Sequence, residues 1–182
     1  MEDLSLHILD IAENSIQARA KNISISIQEN MQKDILSLDI NDDGCGMDEK
    51  TLKEALNPFF TTKKERRFGL GLSMLAESAR AANGQFSIES KPGKGTHIRA
   101  TFQASHIDRK PLGDISTTLL TLIIGNPEID IVYTHTLDRF NYLLDTQKIK
   151  KQMNGIPLSS PEGMKFIRKN IKEGFKRLRR NK

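Results

Sequence analysis

The chain has 182 residues, enough for one domain or for one domain with a small appendage. Its single cysteine, Cys45, excludes an intramolecular disulfide and any metal site built from several cysteines. The net charge of +5 is unevenly spread, because residues 1–144 carry 16 Lys/Arg against 20 Asp/Glu whereas residues 145–182 carry 12 against 3. No apolar run approaches the roughly 20 residues that span a bilayer, and the N-terminus is acidic where a signal peptide is basic. We therefore expect a cytoplasmic protein without a transmembrane segment.

The first hundred residues alternate between helical and strand patterns. Apolar spacing identifies seven elements in this order: a helix over 3–19, strands over 22–28 and 34–40, helices over 48–56 and 70–82, and strands over 85–90 and 96–102. Residues 57–68 are polar, basic and irregular. This order predicts an α/β sandwich in which helices cover one face of a mixed sheet.

Beyond residue 105 the signals weaken. The remaining predicted elements are a helix over 114–124, a hairpin over 130–136 and 139–144, and a basic helix over 161–180. Ser160 and Pro161 are typical of the start of that last helix. We therefore divide the chain into a first domain of residues 1–104 and a small C-terminal α/β extension of residues 105–182.

An acid and an amide share one face of the first predicted helix. Asp10 and Asn14 are four residues apart, which places both side chains on the same side. Such oxygen ligands suit a hydrated Mg²⁺ ion, which takes few protein ligands and keeps several waters. The same spacing also occurs on solvated helix faces, so this pair supports a Mg²⁺ site only in combination with the motifs that follow.

A D-x-G-x-G pattern, made by Asp42, Gly44 and Gly46, directly follows the second predicted strand. A carboxylate at a strand end is placed to accept a hydrogen bond from the exocyclic amine of adenine. The two glycines let the backbone approach the base. Asp and Gly are also ordinary turn residues, which is the alternative for this motif taken alone.

Two further signals follow in the next predicted elements. Gly69 and Gly71 lie at the start of a helix, where backbone N–H groups and the helix dipole favour a phosphate. Thr96 opens a strand with a hydroxyl that can bond a purine edge, although β-propensity also explains a threonine there. The order of all four signals along the chain indicates one nucleotide site.

This order resembles the GHKL ATPases: gyrase B, the ninety-kilodalton heat-shock chaperone, histidine kinases and MutL. The first half is most similar to MutL, through Glu13-Asn14-Ser15 and Asp43-Gly44-Cys45-Gly46-Met47. The second half is most similar to a sensor histidine kinase, through Asn57-Pro58-Phe59-Phe60-Thr61-Thr62-Lys63 and Gly69-Leu70-Gly71-Leu72. The resemblance covers about residues 3–104 and implies the Bergerat fold, with ATP and Mg²⁺ as ligands.

The resemblance also implies a role for each matched residue. At the base, the resemblance implies that Asp42 binds the adenine amine, that Gly44 and Gly46 shape the pocket, and that Thr96 assists at the adenine. At the phosphates, it implies that Asn14 ligates Mg²⁺ and that Gly69 and Gly71 cradle the phosphate groups. It also implies that a mobile lid begins with Thr61, Thr62 and Lys63. Hydrolytic members usually carry Glu, the general base, where this chain has Asp10. The shorter side chain retracts the carboxylate by about one methylene. Asp10 is thus a candidate base, and the sequence leaves open whether ATP is hydrolysed, transferred or only bound.

The expected function is that of a regulatory kinase or ATPase acting on a partner protein in trans. A histidine kinase needs a phosphoacceptor histidine on a dimerisation helix, and the few residues before the Asn14 helix leave no room for one. His7 lies on that helix and is expected at the surface or partly buried, not as an acceptor. A MutL-like ATPase switch is the alternative.

The final basic helix has two interpretations. In the favoured one its apolar stripe packs on the ATP-binding domain and its cations, Lys165, Arg168, Lys169, Lys172, Lys176 and Arg179, lie in water. In the other it contacts nucleic acid or an acidic membrane surface. A non-enzymatic, nucleotide-dependent binding module with a nucleic-acid-contacting tail is therefore the third functional hypothesis.

Overall fold

The computed structural model describes residues 1–55 and 70–179, and these contain six helices and six strands. The helices are α1 (Leu4–Gln17), α2 (Glu49–Glu54), α3 (Leu70–Ala81), α4 (Ile115–Gly125), α5 (Thr146–Gln152) and α6 (Pro161–Arg179). The strands are β1 (Asn22–Asn30), β2 (Ile35–Asp42), β3 (Phe86–Ser90), β4 (Thr96–Gln103), β5 (Asp130–Leu137) and β6 (Phe140–Asp145).

All six strands belong to one mixed sheet in the order β3-β4-β2-β1-β5-β6. β1 and β5 pair in parallel, whereas every other neighbouring pair is antiparallel. The predicted mixed α/β fold is confirmed. The three antiparallel hairpins follow from short connections, which favour pairing of strands adjacent in the chain.

One face of the sheet carries the apolar side chains. Ile23, Ile25 and Ile27 of β1 are each at most 1% exposed, while the intervening Ser24 is exposed. This period of two sends alternate side chains to opposite faces. The helices cover the apolar face: α1 contacts β2, α3 contacts β3 and β4, α6 contacts β6, and α4 contacts both α1 and α6.

Short polar side chains define several helix ends. Asp3, Asp48 and Asp114 each accept a hydrogen bond from a backbone N–H of the first turn of α1, α2 and α4. Ser160 Oγ accepts one from the N–H of Gly163 at 3.1 Å, which confirms the predicted start of α6. Helix α5 is absent from our predictions because its seven residues are too short for a clear apolar period.

Residues after 104 extend the same sheet. β5 pairs with β1 along its length, from Asn22 opposite Asp130 to Glu29 opposite Leu137. Buried side chains from both parts of the chain form one hydrophobic cluster. The division at residue 104 stays a prediction, and the sheet is continuous across it.

Helix α6 closes over an aromatic cluster. The ring centroids of Phe175 lie 6.1 Å from Tyr133 and 5.6 Å from Tyr142. The hydroxyl of Tyr142 donates a hydrogen bond to Asn170 Oδ1 at 2.9 Å, and a Cβ at Gly174 would overlap the Tyr142 ring. Burial raises the pKa of both tyrosine hydroxyls above the ordinary value. The helix is therefore held by close packing of its apolar face.

The favoured interpretation of α6 is right about the burial of its apolar stripe, but the stripe packs on α4 and β6 of the C-terminal part and not on residues 1–104 as expected. Ile167, Ile171 and Leu178 are buried, whereas Lys165, Arg168, Lys169, Lys172 and Lys176 are exposed. In residues 1–55 and 70–179, no helix is long and apolar enough to cross a membrane.

Candidate functional site

Asp42, the last residue of β2, has a buried and firmly oriented carboxylate. It is 6% exposed. Its Oδ2 accepts a hydrogen bond from Ser15 Oγ at 2.7 Å, and its Oδ1 accepts one from the N–H of Gly44 at 2.9 Å. A carboxylate oxygen has two lone pairs, so each oxygen keeps the capacity to accept from a ligand. The sequence motif contains Gly44 but gives no indication that Ser15 orients this group.

The glycines of the motif lie where side chains have no room. A Cβ at Gly44 would lie 2.9 Å from Ala18 Cβ and 3.0 Å from Asp42 Oδ1. Gly46 and Gly95 have φ of +65° and +77°, and a Cβ at Gly95 would overlap the carbonyl of Asp42. The D-x-G-x-G loop therefore packs directly on α1 and on the β3–β4 turn.

Asp43, the neighbour of Asp42, has a structural role. It accepts hydrogen bonds from the backbone N–H groups of Lys21 and Asn22 at 2.7 and 2.8 Å, and from Asn22 Nδ2 at 2.7 Å. Burial opposes ionisation of this carboxyl, but the hydrogen bonds outweigh it and hold the pKa below the ordinary value. Asp43 thereby joins the loop to the start of β1.

Thr96 begins β4 directly opposite Asp42 in the β2–β4 ladder. Its Oγ1 lies 3.0 Å from Ser90 Oγ. Ser90 Oγ also donates to the carbonyl of Gly95 at 2.8 Å and accepts from the N–H of Met47 at 2.8 Å. Ser90 thus connects the turn before Thr96 to the D-x-G-x-G loop. This role could not be predicted from the sequence, because it depends on the register of the strands.

A cavity of about 460 Å³ opens beside these strand ends. Ser90, Gly95 and Thr96 form part of its wall, and Leu52 of α2 and Ile88 of β3 supply apolar surface. Most of its other lining residues are polar or charged, and Asp42, Asn14 and Gly71 do not line it, so the cavity adjoins the predicted site at Thr96.

Asp10 and Asn14 share one face of α1, as predicted. Asn14 Nδ2 lies 3.4 Å from Asp10 Oδ2, and both side chains are partly buried. The following residue, Ser15, is the one that holds Asp42. Helix α1 therefore carries the acid and amide pair beside the support of the Asp42 carboxylate.

Gly71 brings the first turn of α3 against α1. A Cβ at this position would overlap the carboxylate of Asp10. Glycine allows this approach, whereas any larger residue requires the Asp10 side chain or one of the helices to move. The sequence predicts Gly71 from phosphate binding, and the structure adds that the residue is also required by the contact with Asp10.

His7 is fully buried, so the expectation of a surface or partly buried position is wrong. It is 0% exposed, on a helix that contacts α3 and α4 and whose first N–H groups donate to the carbonyls of Pro111 and Leu112. Burial lowers the pKa of His7 to about 4, with a further decrease from the N-terminal ammonium and Lys110. The imidazole is therefore neutral at physiological pH and inaccessible to a solvent-borne phosphoryl donor.

The residues present fit a Mg²⁺ ion held mainly through a nucleotide. Asp10 and Asn14 offer a carboxylate and an amide, hard oxygen donors of the kind this ion prefers. A site with few protein ligands is the expected arrangement when substrate phosphates supply the others.

The structure therefore brings together most of the predicted residues that it describes. Gly71 contacts Asp10, Asp10 neighbours Asn14, Ser15 bonds Asp42, and Asp42 lies opposite Thr96. The roles in binding stay predictions. Thr61, Thr62, Lys63 and Gly69 lie outside the described residues.

The family described as histidine kinase-, DNA gyrase B- and HSP90-like ATPase matches residues 2–106. This chain belongs to that family. The match includes α1 and the four strands that carry the site, and the family description implies an ATP-binding domain.

Curated relatives are sensor kinases. The chain is 40% identical over 89 residues to the sensor protein kinase FleS of Pseudomonas aeruginosa, covering 49% of this chain and 22% of FleS. It is 35% identical over 95 residues to sporulation kinase E of Bacillus subtilis, covering 51% of this chain and 13% of that kinase. The chain thus spans less than a quarter of the length of either kinase.

Solved structures share the fold. The ATPase domain of Aquifex aeolicus MutL, solved in complex with ADP, superposes with a TM-score of 0.55 at 12% identity, over 85% of this chain and 70% of that one. The N-terminal domain of a DNA repair protein gives a TM-score of 0.56 at 16% identity, over 80% of this chain and 53% of that one. Both matches are too long to be confined to residues 1–104, so the fold likeness extends into the C-terminal part.

Proposed function

We propose that this chain binds Mg-ATP in the cleft between α1, the start of α3 and the ends of β2 and β4. The observation that carries the proposal is the buried Asp42 carboxylate, oriented by Ser15 from the helix that also carries Asn14. A carboxylate held in this way is an acceptor that needs no reorganisation when an amine donor arrives. Membership of the ATPase family supports adenine as that donor.

The proposed roles follow from position. Asp42 accepts from the adenine amine, Thr96 assists at the purine edge, and Gly44 and Gly46 let the backbone line the base. Gly71, with Gly69, presents N–H groups to the phosphates at the start of α3. Asn14 holds the Mg²⁺ ion, which when bound neutralises phosphate charge, and Thr61, Thr62 and Lys63 contribute beyond the described residues.

Calorimetry tests binding. ADP and a non-hydrolysable ATP analogue are titrated with and without Mg²⁺ into wild type and Asp42→Asn. The proposal expects Mg²⁺-dependent binding by wild type and a large loss in the variant, because an amide nitrogen opposes the adenine amine. Asp43→Asn is the matched control, since its carboxylate bonds the backbone of Lys21 and Asn22 instead. Equal affinity of wild type and Asp42→Asn would contradict this site.

We further propose a cytoplasmic regulatory kinase or ATPase that acts on a partner protein in trans, with residues 1–104 as the ATP-binding domain and 105–182 as its extension. The buried position of His7 supports phosphorylation in trans because that ring is closed to solvent. Labelled ATP added with extract should then label a protein other than this chain. If extracts from several growth conditions contain no such protein, kinase activity is contradicted.

A MutL-like ATPase switch is the second candidate, favoured by the superposition on the MutL ATPase domain. In that case steady phosphate release occurs without a phosphorylated partner. Asp10 is the proposed base, so Asp10→Asn should abolish release while nucleotide binding continues. Release that is unchanged in this variant would remove Asp10 from the role.

A nucleic-acid-binding function is the third candidate, and one feature of α6 favours it. Lys165, Lys169, Lys172 and Lys176 recur at intervals of four, three and four residues and are exposed, so they form one row along the helix. The row lies opposite the buried Ile167 and Ile171 side of the helix. In the part of the chain that the structure describes, none of these lysines forms an ion pair with an acid. A row of unpaired cations suits a phosphate backbone.

Salt dependence tests this candidate. The four lysines of the row are replaced together by Gln, and the control replaces Lys21, Lys33, Lys50 and Lys53, which are exposed elsewhere on the molecule. Loss of the row should reduce the slope of log affinity for duplex DNA or RNA against log salt by about 3 to 4. Equal binding by both variants, or binding to anionic vesicles alone, would contradict it.

A further inference from the structure

One buried side chain beside the proposed phosphate end is left without partners. Among residues 1–55 and 70–179, the only buried side-chain nitrogen or oxygen atoms without a hydrogen bond are Nδ1 and Nε2 of His7. A neutral imidazole carries one donor and one acceptor, and burying both without partners costs free energy. Native structures rarely keep such a group in the core without a reason.

The surroundings of His7 indicate where a partner would come from. His7 lies on α1, three residues before Asp10 and seven before Asn14, so it is near the same face. The backbone of Gly71 raises the pKa of His7, as a carbonyl acceptor near the ring does, although neither ring nitrogen makes a hydrogen bond of standard geometry. A carbonyl acceptor near the ring thus belongs to the first turn of α3.

That turn is also the one pressed against Asp10. A Cβ at Gly71 would overlap the Asp10 carboxylate, so the backbone of the turn lies directly against that side chain of α1. A small displacement of the turn would therefore change two contacts together, one at Asp10 and one at His7. If phosphates bind at the N-terminus of α3, they engage this same turn.

We propose that His7 is a positioning residue, whose ring N–H donates to the Gly71 carbonyl when nucleotide draws the first turn of α3 into its binding position. This inference rests on the proposed ATP site. The bond replaces an unpaired buried donor in the free protein by a paired one in the complex. The gain appears as affinity, by a factor of roughly 3 to 10, since that is the net effect of one hydrogen bond.

Three substitutions of His7 distinguish a hydrogen-bonding role in nucleotide binding from a role in core packing. His7→Leu fills similar space without polar atoms, while His7→Gln and His7→Asn keep an N–H near the position of Nε2 or Nδ1. His7→Leu is expected to leave the melting temperature equal or higher, because an unpaired polar group is removed, and yet to weaken binding of the Mg²⁺ complex of a non-hydrolysable ATP analogue by roughly 3- to 10-fold. At least one of the amide variants should recover the affinity. A packing role would instead lower stability and affinity together.

A second measurement needs no variant. With ¹⁵N-labelled histidine, the chain gives only four imidazoles to assign. Saturation with the analogue should move the His7 N–H resonance to the range of a hydrogen-bonded imidazole. Unchanged His7 resonances at saturation, or full affinity in His7→Leu, would overturn the inference while leaving the ATP site standing. No binding by wild type would overturn both.

Discussion

The region around β2, β4 and α1 is held together by different interactions from the region around β5, β6 and α6. At the end formed by β2, β4 and α1, buried polar groups meet glycine backbone: Asp42 is held by Ser15, and Gly71 lies against Asp10. At the other end, α6 covers β5 and β6 through the rings of Tyr133 and Phe175 and keeps its lysines outside. One continuous core thus supports two different regions, the proposed ligand-binding region with its buried polar groups and a region held by aromatic packing.

The largest expected effect comes from Asp42 and tests whether its carboxylate contributes to ATP binding and not to the stability of the fold. Asp42→Asn should weaken ATP binding by about 100-fold or more, because a buried acceptor is replaced by a group that repels the donor. Stability should change little in either variant, because an amide oxygen at position 43 can still accept from the backbone N–H groups of Lys21 and Asn22, and one at position 42 from that of Gly44. Calorimetry for affinity and urea unfolding for stability make the comparison. The reverse order, with Asp43→Asn the stronger binding defect, would exchange the two roles.

Acid should weaken the ligand-binding end through His7. Its pKa is about 4 in the folded chain against 6.5 when unfolded, so the unfolded state takes up the proton first as pH falls. The titration of His7 therefore leaves the free energy of unfolding unchanged well above pH 6.5 and lowers it progressively toward pH 4, by about 2 to 3 kcal/mol. Urea unfolding at several pH values measures this slope.

His7→Leu is the control for that slope. The variant lacks the titrating group, so its free energy of unfolding should fall less between pH 6.5 and 4 than that of wild type. Identical slopes would assign the acid sensitivity to other groups.

Substitutions in the region around α6 should change the stability of the protein but not its affinity for ATP. Phe175→Ala removes a partly buried ring that contacts Tyr133 and Tyr142, and is expected to cost about 2 kcal/mol of unfolding free energy. Phe166→Ala on the same helix is the control, because that ring is 37% exposed and should cost much less. Well below the melting temperature, both variants should bind ATP like wild type. A binding defect in Phe175→Ala would mean that the two ends are coupled.

The smallest expected effect concerns the contact between α1 and α3. Gly71→Ala should weaken ATP binding by about 10-fold, since the methyl group displaces the first turn of α3 from Asp10. Gly125→Ala is a matched control in another helix, where an added Cβ meets nothing within 4 Å. Calorimetry of the wild type and the two variants decides whether the added methyl group at position 71 is the cause.

Local chemistry determined much of this molecule from its sequence. The alternation of β1 and the Ser160 start of α6 depend on neighbours in the chain, so they were predictable. The motif residues Asp42 and Gly71 were predictable for the same reason, since a glycine or carboxylate at a turn has a chemical meaning without its distant partners.

Only the tertiary structure decided which distant groups meet. The parallel pairing of β5 with β1, and the Ser90 junction at Thr96, depend on strand register across the sheet, which no local pattern encodes. His7 lies on a helix whose period allowed partial exposure, and the packing of α3 and of the segment around Lys110 buried it completely. Sequence spacing sets which side chains share a face, whereas the packing of other elements on that face decides whether they meet water, a partner or a ligand.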